Sequence, residues 1–140
     1  QLVRAYSQIG KGAPAYCVAT GKALLAFQSE DMIACVSGKL KAQTSRTITD
    51  AEEFKREMAR VRQLGYAINR GEWRDGVCGL AAPIRDASRQ VVAAIGISGP
   101  ESRMKSTFMR EQAPVVIQTA DLISKALGYS GEALVYRKTA

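Results

Sequence analysis

Two apolar runs, GVCGLAAPI (76–84) and QVVAAIGIS (90–98), constrain this chain most. Each has the length of a strand, and the turn-rich DASRQ (86–90) lies between them. Such a pair reads as an antiparallel hairpin. Strand side chains alternate between faces. One face of the first strand receives Val77, Gly79, Ala81 and Pro83, and the other receives Cys78, Leu80, Ala82 and Ile84. In the second strand, Val91, Ala93, Ile95 and Ile97 oppose Val92, Ala94, Gly96 and Ser98. Each strand therefore has a bulkier and a smaller face. Aligned bulky faces would pack helices, and aligned small faces would leave room on the opposite side. Glycine and alanine in strands most often permit close packing. The alternative is a ligand cavity, with Ser98, Asn69 and the Thr20-Gly21 turn as polar groups. Taken alone, the pattern favours close packing.

The rest of the chain supplies helices. LVRAY (2–6) is a strand candidate, and SQIGKGAP (7–14) is a loop. VATGKALLAF (18–27) has helical spacing. A short helix over 29–36 takes Ser29 as N-cap, with acids just inside it, and ends at Gly38. The sequence TDAE (49–52) has capping-box spacing, with Thr49 as cap and Glu52 reaching back. Phe54, Met58, Val61 and Leu64 follow as one apolar stripe, and Gly65 stops the helix. YAIN (66–69) is a strand. Pro114 sits near the start of a last helix, VVIQTADLISKAL, which Gly128 closes. This order predicts an α+β fold: an antiparallel sheet with helices against it.

Composition narrows function by exclusion. The 140 residues suit one domain, and 46% apolar with 24% charged residues is ordinary for a globular chain. No run approaches the roughly 18 apolar residues that span a bilayer, so no membrane partner is expected. The first residue is not Met, and the chain reads as a piece of a longer protein. The net charge is +7, but the basic residues are dispersed and no nucleic-acid motif occurs. The chain has no His, and its three cysteines are scattered. No metal or other cofactor site is therefore expected, and Ser-His or Cys-His catalysis is excluded. Reduced thiols fit a cytoplasmic protein. No P-loop and no carboxylate dyad is evident. Lys22 in TGKAL is tempting, but a structural role suits it better than catalysis.

The ordered series ATGKALLAF (19–27), TITDAEEFKREMARVRQLGYAI (47–68), GVCGLAAPIRD (76–86) and VVAAIGISGPESR (91–103) resembles the effector-binding domain of IclR-type bacterial transcription regulators. The resemblance covers the chain to about Gly128. It implies a GAF/profilin-like fold: a curved antiparallel sheet with helices on one face and a ligand pocket on the other. Residues 1–128 would be the effector-binding domain, N-terminally truncated, and 129–140 a tail. The family's winged helix-turn-helix, and the part of the effector domain that precedes LVRAY, have no counterpart here. DNA would be contacted only through a domain absent from this chain.

Carried over position by position, the resemblance places Leu2, Ala5 and Ala13 in the pocket wall. Ala19 and Thr20, with their backbone amides, stand at a helix start able to hold a carboxylate. Asn69 stands where members binding small keto acids carry Asp, and Gly79 where they carry Cys. Gly96 and Ser98 stand where they carry two serines. Cys78 should point the other way. These departures imply a larger, less polar pocket for a bigger organic acid, with aromatic acids in the class. Tyr16, Trp73 and Arg70 are candidates for its mouth, although a dimer or helix contact suits Trp73 equally. On this reading Gly96→Leu would block the pocket and spare the fold.

Three functions remain. The leading one is a non-enzymatic ligand sensor of a transcription regulator, working as a homodimer or homotetramer. The apolar stripe of the last helix and LVY (134–136) are candidate subunit contacts. The second is a GAF-like regulatory domain of an enzyme or another signalling protein. The third is a small hydrolase or isomerase using Cys78.

Overall fold

A computed structural model describes residues 9–131. Leu2, Ala5, the LVRAY candidate and LVY (134–136) lie outside this range. A single 3-10 turn, Ala15–Cys17, leads into α1 (Ala19–Leu25), α2 (Glu30–Ser37) and α3 (Ala51–Leu64). Strands β1 (Ala67–Arg70), β2 (Val77–Arg85) and β3 (Val91–Pro100) follow, and α4 (Ser106–Ala126) ends the series. The strands form one antiparallel sheet in the order β1-β2-β3. The fold is α+β, as the sequence predicts.

The register explains the hairpin. Gly79 pairs with Ser98, Ala81 with Gly96 and Pro83 with Ala94. Leu80 pairs with Ile97 and Ala82 with Ile95. Small meets small and bulky meets bulky. The bulky face, with Cys78, Leu80, Ala82 and Ile84, packs on Met109, Ala113, Val116, Ile117 and Ala120 of α4. Cys78 thus points away from Gly79, as expected.

The expectation that helices cover only one face fails. Ala67 and Ala81 on the small face pack with Ala19, Ala23, Leu25 and Ala26, and α2 and α3 complete that second core through Ile33, Phe54, Met58 and Val61. The reason is steric. Alanine and glycine let a helix approach a sheet closely, so the small face is covered along part of its length. Gly21 serves the same closeness on the other side of α1, because a β-carbon there would overlap the main chain of Ala15.

Two helix starts also differ from expectation. Asp50, not Thr49, caps α3: its side chain accepts the Glu53 N–H at 2.8 Å. Glu52 instead pairs with Lys55. Aspartate is as good a cap as threonine and better placed to accept from the third helical residue. In the last helix, Pro114 lies inside α4, well after its first residue, Ser106. Proline removes one intrahelical donor, which usually marks a helix start. Here Met104, Met109 and Ala113, all buried in the sheet core, hold the first turns in place regardless.

Candidate functional site

The part of the small face that α1 leaves uncovered is a cavity of about 270 Å³. Its floor is one cross-strand row. Asn69 of β1 pairs with Gly79 of β2, which pairs with Ser98 of β3. The start of α1 forms the wall above that row. A β-carbon on Gly79 would lie 3.3 Å from the Ala19 side chain, so this glycine sets how near α1 sits.

Ala13, Ala19, Thr20, Asn69, Gly79, Gly96 and Ser98 all border this one cavity. Trp73 also borders it. Tyr16 and Arg70 do not. The Tyr16 hydroxyl donates to the Lys41 carbonyl at 3.0 Å and accepts from Gln43 Nε2, which ties down the chain after α2. Arg70 points to the opposite side of the sheet, where its guanidinium donates to Ser106 Oγ in a cleft shared with Cys78 and Lys105. Arg70 follows Asn69 in a strand, so its side chain takes the other face.

The sequence reading missed Lys11, Val18, Arg74, Val77, Leu80 and Ile97 at the cavity. Lys11 sits in the glycine loop beside Ala13, and Arg74 follows Trp73, with its guanidinium 4.1 Å from the indole centroid. Adjacency to residues already placed was the available signal for both. Two cations therefore border the cavity, and no carboxylate does so among the described residues.

Asn69 is 5% exposed. Its Oδ1 accepts the Glu72 backbone N–H at 2.7 Å. That bond fixes which end of the amide is committed and leaves Nδ2, a donor, as the group Asn69 offers to the cavity.

Behind the wall lies a buried ion cluster. Lys22 Nζ lies 2.9 Å from Glu57 and 3.0 Å from Glu72, and it donates to the Ile68 carbonyl at 2.7 Å. Burial raises the Glu72 carboxyl more than Lys22 and the Arg70 N–H lower it. Burial also pushes Glu57 upward, but Lys22 and Arg60 outweigh it and hold that carboxyl below its usual value. Lys22 is thus structural, as expected. Burial also raises both buried thiols, Cys17 up to about 11 and Cys78 by direction. A nucleophilic cysteine needs the opposite shift. No metal-ligating group of three or more His, Cys, Asp or Glu occurs among the described residues.

The profile of the bacterial transcriptional regulator IclR C-terminal family matches residues 1–125. The chain belongs to the IclR family. The IclR domain described here is 33% identical, over 129 residues, to the HTH-type transcriptional regulator KdgR of Escherichia coli K12, covering 91% of this chain and 49% of KdgR. The Thermotoga maritima IclR structure superposes with a TM-score of 0.83 at 31% identity, covering 92% of this chain and 53% of that one. A complex of the inducer-binding domain of the PobR transcription factor (a double mutant) with 3-hydroxybenzoic acid, from Acinetobacter, superposes with a TM-score of 0.78 at 28% identity, covering 89% of this chain and 73% of that one. The chain spans about half the length of the curated relatives it matches. It corresponds to the effector-binding, C-terminal domain of such regulators. The family's members are transcription regulators, not enzymes, so the reading of this chain as non-enzymatic stands on that ground.

Proposed function

We propose that this domain senses a small organic acid, with one aromatic ring, in the cavity above the Asn69–Gly79–Ser98 row. One observation carries the reading: the cavity is bordered by two cations, Lys11 and Arg74, and by no described carboxylate. An anion gains from that field, and the Asn69 amide donor adds a directed hydrogen bond. The hydroxyls of Thr20 and Ser98 are further donors at the same cavity. The amides at the start of α1 contribute little dipole, because α1 has only 7 residues. The ring would lie against Trp73 and Val77, which supply apolar side chains at the cavity border.

The size agrees. Sites for drug-sized ligands start at about 300 Å³, and about 270 Å³ suits a single-ring acid. The relative crystallised with 3-hydroxybenzoic acid supports the same class. The resemblance adds Leu2 and Ala5 to the wall. In the same reading the domain acts in the cytoplasm as a homodimer or homotetramer. Ligand binding shifts the arrangement of subunits, and a DNA-binding domain outside this chain reads that shift.

The test is a thermal-shift series with benzoate, 3-hydroxybenzoate, 4-hydroxybenzoate and pyruvate. A ligand that binds only the folded state raises the melting temperature with concentration. The aromatic acids should do so, with pyruvate weaker. If no acid in the series raises it, or if pyruvate alone does, the reading is wrong.

A further inference from the structure

The cavity has two walls that come from distant parts of the sequence. The start of α1 is one wall. The other is the end of β1 with the turn at 71–76, which carries Asn69, Trp73 and Arg74. Between them, behind the lining, lies Lys22. We infer that the Lys22–Glu72 ion pair is the strut that sets the distance between these walls, and so determines which ligand fits.

Lys22 projects from α1 and is 1% exposed. Its ammonium donates to the Ile68 carbonyl of β1, the residue before Asn69. It also donates to both Glu72 oxygens, at 3.0 and 3.1 Å, one residue before Trp73. Glu72 Oε1 in turn accepts the Arg70 N–H, and the Glu72 N–H donates to Asn69. One cation thus holds the residues on both sides of Asn69 and the residue before Trp73. On the far side of the turn, Thr44 Oγ1 donates to the Gly71 carbonyl and Thr47 Oγ1 to the Glu72 carbonyl. Those bonds fasten the turn to the 43–47 loop. Only Lys22, among these contacts, fastens it to α1.

Lys22 touches no cavity-lining side chain in these contacts, so it is a positioning residue. A buried ion pair adds little net stability over an apolar pair of the same shape, and its best-attested use is to specify one geometry. The cluster here fits that use. Lys22 serves two carboxylates, so Glu57 of α3 still pairs with it when Glu72 is removed.

This inference deepens the ligand-sensing proposal, but its first test needs no ligand. Trp73 is the only tryptophan, and it lies in the strut-held wall. Its emission and acrylamide quenching would be compared in the parent, Glu72→Ala and Glu72→Gln. Glu72→Ala cuts the tie and leaves Lys22 paired with Glu57. Glu72→Gln keeps an acceptor within reach of Lys22. The expected result is red-shifted, more readily quenched Trp73 in Glu72→Ala and a parent-like Trp73 in Glu72→Gln. Ile33→Val, a core change in α2, should lower stability without moving Trp73. Trp73 signals identical in Glu72→Ala and the parent would overturn the inference, as would an equal change in Ile33→Val.

The second arm titrates 3-hydroxybenzoate by calorimetry. Affinity should weaken roughly tenfold in Glu72→Ala and return in Glu72→Gln. If the parent binds no acid, the sensing proposal fails, and the Trp73 comparison still decides the strut. Unchanged affinity in Glu72→Ala would overturn the claim that the strut governs fit.

Discussion

Gly96 lies so close to Leu80 that a β-carbon at position 96 would overlap the Leu80 carbonyl oxygen and crowd Ala81. This glycine therefore serves close packing of the hairpin first, and it borders the cavity only as a consequence. The sequence expectation that Gly96→Leu would spare the fold is corrected by this geometry. Gly96→Ala should cost about 1–3 kcal/mol through forced backbone shifts. At Gly79 a β-carbon would meet Ala19 at 3.3 Å and Ile97 O at 3.5 Å, a tight but adjustable fit. Gly79→Ala should cost under about 1.5 kcal/mol. Urea denaturation of both variants checks the contrast; equal costs would contradict it.

Asp50 should prove the true cap of α3. Asp50→Ala leaves the Glu53 N–H without its acceptor and should destabilise by about 1 kcal/mol. Thr49→Ala should change stability by less than about 0.5 kcal/mol. Melting temperatures of the pair separate the two caps, and a larger loss at Thr49 would restore the capping box.

Pro114 offers a stabilising change. It lies inside α4 and is only half-buried. Replacing it with Ala restores the N–H that an α-helix directs at the carbonyl four residues earlier, that of Arg110. Some of that gain returns to the unfolded chain as entropy. Pro114→Ala should stabilise by roughly 1 kcal/mol. A lower melting temperature would show that the ring itself packs usefully.

The ion cluster predicts a pH signature. Glu72 has a raised carboxyl in the folded state, so between its ordinary and raised values the native chain binds more protons than the unfolded one. Stability contributed by this group therefore falls as pH rises through that window. Glu57 is depressed, so its contribution is present above its ordinary value and is lost as pH falls through its lowered value. Stability should climb through the acid range and then decline above the ordinary carboxylate range. Glu72→Gln should remove the decline and keep the climb. Lys22→Met leaves the buried Glu72 carboxylate without its cation, while Glu57 keeps Arg60, and should cost about 3–5 kcal/mol. Melting curves across pH would measure both effects.

Much of this was legible in the sequence because period and chemistry agreed locally. The Gly79/Ala81 and Gly96/Ser98 alternation predicted which faces meet. Ser29 and Gly65 marked helix ends by chemistry that rarely misleads. The misread cap of α3 is a local choice between neighbours, but the misreadings at α4 and at the small face share a cause, which is contact with distant residues. Pro114 looked like a helix start because nothing local shows that Met109 and Ala113 are held by the sheet. The small face read as either closely packed or hollow, because alanine spacing does not reveal how far α1 folds back onto it. Lys22 read as structural, but its partners Glu57 and Glu72 lie 35 and 50 residues away in the chain. Strand alternation offered Asn69 and Ser98 as polar groups of a possible cavity and put Gly79 on its small face, and the family resemblance turned that alternative into a site.

The most direct test of the central claim is an amide-resonance titration of 15N-labelled protein with 3-hydroxybenzoate. The account predicts saturable shifts at the Asn69 side-chain amide and at the backbone amides of Ala19, Gly79 and Ser98. Ser98→Leu, which fills the cavity from an exposed strand position, should abolish them. Shifts confined to Arg70, Lys105 and Ser106 on the opposite face, or shifts that survive Ser98→Leu, would contradict it.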